Sequence, residues 1–204
     1  RRVFVSGDFA DFWQVSVRES RWPEDAAPVD LLLLESTYGS RPHPDRALER
    51  ERFTKDVLEV VERGGVALVA CFALGRAQEV LRLLAGAMRS GRLCPVWIDG
   101  MIQDINEVYR KFDALDLPDN FREVRAGGWN REEVIAQVRR EPGVIVSTSG
   151  MLSGGPMVEY AAALLPDGRN RIFFCGYLDE ESPGAALRRL SDRVGFRRVV
   201  PVDR

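Results

Sequence analysis

Hydrophobic positions along the chain fall into two alternating patterns. Short, nearly continuous apolar runs occur at 3–5, 31–34, 66–72, 95–98, 144–146 and 171–175. Each leads into small or polar residues: Ser6-Gly7-Asp8, Glu35-Ser36-Thr37-Tyr38-Gly39, Ala73-Leu74-Gly75-Arg76, Asp99-Gly100, Ser147-Thr148-Ser149-Gly150 and Gly176-Tyr177. Runs of this kind predict parallel strands covered on both faces. Between them the apolar residues take helical spacing: Phe53, Val57, Leu58, Val60 and Val61; Val80, Leu81, Leu83 and Leu84; Ile105, Val108, Tyr109 and Phe112; Val134, Ile135 and Val138. The alternation predicts an α/β fold, a mostly parallel, Rossmann-like sheet with helices on both faces and right-handed crossovers. Residues 21–28 and 113–120 read as surface loops. Ligands of such sheets sit beyond the carboxyl ends of the strands, so the small polar clusters group into one expected site.

Composition narrows the function. The 204 residues are 45% hydrophobic and 29% charged, ordinary for a globular chain and unlike a disordered one. No apolar run is long enough to span a bilayer, and no leader pattern opens the sequence. A net charge of −2 argues against general nucleic-acid adsorption but leaves room for a local basic groove. Of 29 basic residues only Lys55 and Lys111 are lysines, a bias that suits phosphate binding but also follows from a GC-rich genome. Cys71, Cys94 and Cys175 are far apart and form no CxxC, which fits a reduced, cytoplasmic protein. There is a single histidine, His43, too few for this chain alone to be a zinc hydrolase. The sequence starts without Met at a strand pattern and stops inside another near 198–202, and it reads as an excerpt of a longer protein.

Several positions carry candidate chemistry, each with a plainer alternative. Asp8 follows a strand and Gly7, which suits a metal ligand or a base, or else the cap of a turn. Glu35 emerges from four leucines, where its charge is costly unless paired or hydrogen-bonded, and it fits a functional carboxylate or a bond to the next loop. Residues 147–156 pass from a strand into a helix starting near Pro156, so a phosphate cradle and a plain tight connection both fit. Arg76 in a first helical turn opposes the helix dipole and calls for an anion: a phosphate, Glu79 or another acidic neighbour. His43 lies in a proline-rich loop, and Arg188, Arg189, Arg193, Arg197 and Arg198 form a basic stretch that is either a solvated face or a channel rim. No GxGxxG or Walker motif supports a nucleotide-binding domain.

Ser6-Gly7-Asp8-Phe9, Leu33-Leu34-Glu35-Ser36-Thr37-Tyr38-Gly39, Phe72-Ala73-Leu74-Gly75-Arg76-Ala77-Gln78-Glu79, Ser149-Gly150-Met151, Gly154-Gly155-Pro156 and Gly176-Tyr177 occur in this order. Together they resemble the signatures of metallo-β-lactamase-fold nucleases of the β-CASP group, which includes the pre-mRNA 3′-end cleavage factor, ribonuclease J and bacterial and archaeal ribonucleases. The resemblance implies that residues 1–38 are strands rooted in the metallo-β-lactamase portion. Residues 39–204 would then be the β-CASP domain, cut before its last motifs. It implies two-metal hydrolysis of RNA phosphodiesters. Asp8 would be a zinc ligand and catalytic residue, and Glu35 the acidic residue of the first β-CASP motif. Ser36, Tyr38, Arg76, Ser147, Ser149, Gly150, Gly154 and Gly155 would lie toward the substrate.

The departures are equally specific. The His-x-His-x-Asp-His motif and the next His ligand are absent, and 182–185 departs from the usual Gly-Thr-x-Gly. The expectation is therefore two zinc ions in the complete enzyme, and no stable dinuclear zinc and no cleavage by this segment alone. Expected partners are RNA, with single-stranded DNA as an alternative, and the metallo-β-lactamase half of the same protein. Homo-oligomers through bare sheet edges are a further expectation, and no membrane is involved. A non-catalytic single-strand binding module is the second reading.

Overall fold

A computed structural model describes residues 1–16, 18–24, 28–40, 42, 44–89 and 93–193. His43, Arg197 and Arg198 and the strand expected near 198–202 lie outside these residues. Seven strands and six helices are described: β1 (Val3–Val5), β2 (Leu31–Leu33), α1 (Arg46–Glu62), β3 (Ala67–Cys71), α2 (Arg76–Arg89), β4 (Val96–Asp99), α3 (Ile102–Lys111), β5 (Phe121–Glu123), α4 (Arg131–Arg140), β6 (Val144–Ser147), α5 (Pro156–Leu164), β7 (Arg171–Cys175) and α6 (Pro183–Arg193).

Five strands form one parallel sheet in the order β5-β4-β6-β3-β7. Alternation along each strand divides the core in two. Val69, Ile98, Val146 and Phe173 face α1, α2 and α3, with Phe53, Val57, Leu81 and Leu84 packed on them. Leu68, Trp97, Ile145 and Phe174 face α4 and α5, under Val134, Val138, Met157 and Tyr160, and Leu187 of α6 joins from the rim. Phe53 and Phe173 meet edge-on with centroids 5.9 Å apart. Each of these large side chains, removed almost wholly from water, contributes about 1.5–3 kcal/mol. Cys71 and Cys175 are register partners on β3 and β7. With Cys94 they are buried, and burial pushes the Cys71 thiol up to about 12.

The helices following β3 and β4 lie on one face, and the helix following β6, which runs between those two strands, lies on the other. The loops beyond the carboxyl ends of β3, β6 and β4 therefore part, which is where an open α/β sheet leaves room for a ligand.

The pattern anticipated six strands and the helices at the four stripes and at Pro156. It did not anticipate β5, whose Phe121-Arg122-Glu123 has no apolar run because it is an edge strand paired only with β4. Nor did it anticipate α6. One expectation is corrected. The leucines of β2 are not covered: β1 and β2 form a separate two-stranded parallel sheet, and Leu31, Leu32, Leu33 and Leu34 are each at least half exposed. Apolar content placed β2 in a parallel sheet, but no second layer among the described residues covers it.

Candidate functional site

Asp8 and Glu35 are carried to one end of the small sheet by the β1–β2 register. Val5 stands opposite Leu33, and the Ser6 amide donates to the Leu33 carbonyl at 2.9 Å. The Ser6 hydroxyl then accepts from the Glu35 amide at 3.0 Å, so both carboxylates leave the same end of adjacent parallel strands. Asp8 is exposed, and Glu35 and Tyr38 are half-buried. The Glu35 carboxylate accepts the Thr37 amide at 2.9 Å, and that bond lowers its pKa below the ordinary 4.5. Its charge is thus satisfied by the next loop and by water, not stranded at the end of a buried strand as the leucines suggested. The segment after Asp8 runs onto the five-stranded body. Ser16 Oγ donates to the Gly75 carbonyl, the Arg82 guanidinium donates to the Val15 carbonyl, and Arg46 stacks on Phe12 at 4.6 Å.

At the start of α2, Arg76 has the acidic answer its position calls for. Glu79, almost wholly buried, accepts from Arg76 Nη1 at 3.0 Å. The same carboxylate accepts from Arg46 at 2.9 and 3.0 Å and from Arg50 at 3.0 Å. Burial opposes the charge on Glu79, but the three guanidinium groups outweigh it and hold its carboxyl below the ordinary value. The space enclosed beside Arg46, Arg50 and Arg76 is about 20 Å³, the size of one water, so no phosphate enters between α1 and α2 there. Gln78 ties the same turn down, accepting from the Gly75 amide at 2.8 Å and donating to the Ala73 carbonyl and to Asn106.

The loop from β6 to α5 is packed tightly against these turns. A Cβ on Gly150 would lie 3.2 Å from the Cys71 carbonyl carbon and 3.3 Å from the Phe72 nitrogen. Gly155, with φ 74°, caps α5 without a side chain; Pro156 brings no amide, and the Met157 and Val158 amides donate to the Thr148 and Gly155 carbonyls at 2.7 and 3.2 Å, so the first turn is satisfied from within the fold. Ser149 is half-buried and its Oγ accepts the Ser153 amide at 3.2 Å, while Ser153, Gly154 and Gly155 are exposed. Ser147 is fully buried, and its hydroxyl donates to the Thr148 carbonyl at 3.0 Å, so its one donor is used inside the fold. Ser36 is exposed.

A second group forms at the same sheet edge around Asp99-Gly100, whose position the apolar pattern predicted but whose partners Arg131 and Tyr160 it did not. Asp99, at the end of β4, accepts from the Gly100 amide at 2.6 Å, Arg131 Nε at 2.8 Å and the Tyr160 hydroxyl at 3.0 Å. Burial and this carboxylate raise the Tyr160 pKa, and the Asp99 hydrogen bond raises that of Arg131. The Asp-Gly pair at a strand end and the Asn130-x-x-Glu133 capping signature were the available signals.

Among the described residues no group of three or more His, Cys, Asp or Glu is placed to hold a metal ion. Asp8 and Glu35 therefore do not make a zinc centre by themselves, and the buried thiols sit in the core.

An open parallel sheet of five strands with helices on both faces and glycine-containing turns at its carboxyl edge defines a doubly wound α/β domain. The comparison with known proteins is more specific: the Beta-Casp domain matches residues 77–187, and the chain belongs to that family. It is 38% identical over 172 residues to RNase aCSPSF2 of Saccharolobus solfataricus, covering 80% of this chain and 33% of that protein. It is 32% identical over 214 residues to an RNase J-like protein of Methanocaldococcus jannaschii, covering 99% of this chain and 50% of the relative. It is 34% identical over 211 residues to transcription termination factor FttA of Thermococcus kodakarensis, covering 92% and 31%. The chain thus spans a third to a half of the length of these relatives. No helix among the described residues is long and apolar enough to cross a membrane.

Proposed function

We propose that this chain is the β-CASP region of a zinc-dependent ribonuclease, contributing RNA binding and one wall of the cleavage site. Membership of the Beta-Casp family and relatives named as ribonucleases support the activity class. The observation that carries the site is that Asp8 and Glu35 follow the same ends of two adjacent parallel strands. In this reading residues 1–38 belong to a larger layer supplied by the rest of the protein, supported by the exposed apolar residues Val3, Val5 and Leu31–Leu34. Asp8 supplies one zinc ligand, and the other ligands come from residues beyond these 204. Glu35, kept ionised by the Thr37 amide, stands beside it as a fixed acceptor. Ser149, Gly154 and Gly155 offer hydroxyl and amide donors to the RNA backbone, with Ser36 and Tyr38 on the carboxylate side. Arg76 serves the path chiefly through the Glu79 cluster that holds the start of α2.

The test is RNA cleavage by a protein that joins this chain to the flanking histidine-bearing sequence, with zinc. Asp8→Ala is expected to lower the rate by more than about 100-fold, beyond what loss of an outer partner of a metal ligand costs. An unchanged rate makes Asp8 a turn cap. A zinc-loaded protein that binds single strands and leaves them uncut replaces the enzyme reading by the binding-module reading.

A further inference from the structure

Over the carboxyl ends of β4 and β5 lies an open cleft of about 790 Å³, lined by none of the residues assigned above to zinc or to the RNA backbone. Trp129 lines it and is 38% exposed. Its ring is fixed in place: it meets Trp97 edge-on with centroids 5.0 Å apart, and it lies against Gly127, where a Cβ would come within 2.7 Å of Trp129 Cδ1. A ring already held in one rotamer loses little entropy when a flat group stacks on it.

The polar lining selects the kind of group. Four carboxylates, Asp99, Asp104, Glu132 and Glu159, stand against two guanidinium groups, Arg125 and Arg131. Three of the carboxylates are already bound, Asp104 by Arg125 and Asp99 and Glu159 by Arg131. The excess of negative charge repels a phosphate, while the ion pairs leave no bare anionic cage for a metal. What remains suits a neutral, flat molecule that presents both donors and acceptors along its edge. The cleft also adjoins the β6–α5 loop. Gly100 on its rim is packed so closely that a Cβ there would lie 2.2 Å from Thr148 Oγ1 and 3.4 Å from Pro156 Cγ.

We propose that this cleft takes one unpaired nucleobase of bound RNA, stacked on Trp129, while the strand's phosphates follow the loop at Ser149–Gly155. The inference rests on the RNA reading above. Glu132, exposed on the rim, offers a carboxylate to a base edge carrying adjacent imino and amino donors, so guanine is preferred over uracil.

The experiment is fluorescence anisotropy of the 204-residue chain with labelled single-stranded RNAs of roughly ten nucleotides, guanosine-rich or all-uridine, across a salt series. Trp129→Ala is expected to weaken guanosine-rich binding by about 5- to 100-fold, the range for loss of one base–aromatic stack. The slope of log K against log salt should stay unchanged, because no phosphate contact is lost. Trp129→Phe keeps a ring against Trp97, guards against misfolding of the Ala variant, and should retain most of the affinity. Glu132→Gln should narrow the preference for guanosine over uridine. Equal affinity of wild type and both Trp129 variants, with RNA still bound, overturns the cleft proposal and leaves the RNA reading standing. A wild-type chain that binds neither RNA removes both. An oligoarginine peptide that binds in a Trp129-dependent way while RNA binding ignores Trp129 makes the cleft a protein-docking site and overturns the proposal.

Discussion

Glu79 is the residue on which the most charge converges. It joins α1 to α2 through Arg46, Arg50 and Arg76, and it is nearly removed from water. Removing the carboxylate takes away the buried charge that three guanidinium groups share, so Glu79→Gln is expected to destabilise the fold by about 3 kcal/mol in urea unfolding. The contribution is pH-dependent with a definite sign. Because the folded-state pKa lies below the ordinary 4.5, the stabilisation is complete above that value and is lost as pH falls through the lowered one. The gap in urea midpoint between wild type and Glu79→Gln should therefore close between about pH 5 and strongly acidic conditions. A gap that persists in acid would mean that packing, not charge, carries the effect. Arg76 shows the same logic from sequence to site: its position against the helix dipole predicted an anionic partner, and the choice among partners was made by α1, which brings two more arginines to Glu79.

At the level of elements, the site edge is built by strand ends that stop in tight turns. Gly100 ends β4 with φ 82°, a conformation that costs an L-residue about 1–2 kcal/mol, and Thr148 of the β6 loop fills the space where a side chain would be. Gly100→Ala is expected to cost about 1–3 kcal/mol, and Thr148→Ser, which keeps the hydroxyl, should not relieve it. Chemical denaturation of the two single variants and the double variant measures this directly. The polar chain Gln78–Asn106–Glu123–Arg110, buried at its Gln78–Asn106 end, ties α2 and α3 to the edge strand β5. It helps explain how a three-residue strand with no apolar run is held: its glutamate is tied to α3, beside the packing of Phe121 on the core.

For the whole molecule, the two sheets differ in kind. The five-stranded sheet is covered on both faces, whereas Val3, Val5 and Leu31–Leu34 of the small sheet are exposed and only Phe4 is partly covered, by Trp22. Exposed apolar surface of this type promotes association. The 204-residue chain is expected to self-associate in sedimentation velocity as concentration rises, and Leu32→Glu with Leu34→Glu should reduce it without changing the thermal midpoint of the five-stranded body. A wild-type chain that stays monomeric throughout would show that these faces do not drive contacts.

Local pattern alone determined six of the seven described strands, the helices at four apolar stripes and at Pro156, and the placing of Ser149–Gly155, Arg76 and Glu35 at strand ends. These follow from period and turn chemistry, which act over a few residues. Motif order also identified the family that the comparison bears out. Tertiary structure alone decided the strand order, the separation of β1 and β2, the three arginines around Glu79, and the cleft where Trp129, Asp99 and Glu159 meet. Each of these depends on which distant segments become neighbours across a sheet or between helices, and a one-dimensional pattern carries no record of that pairing.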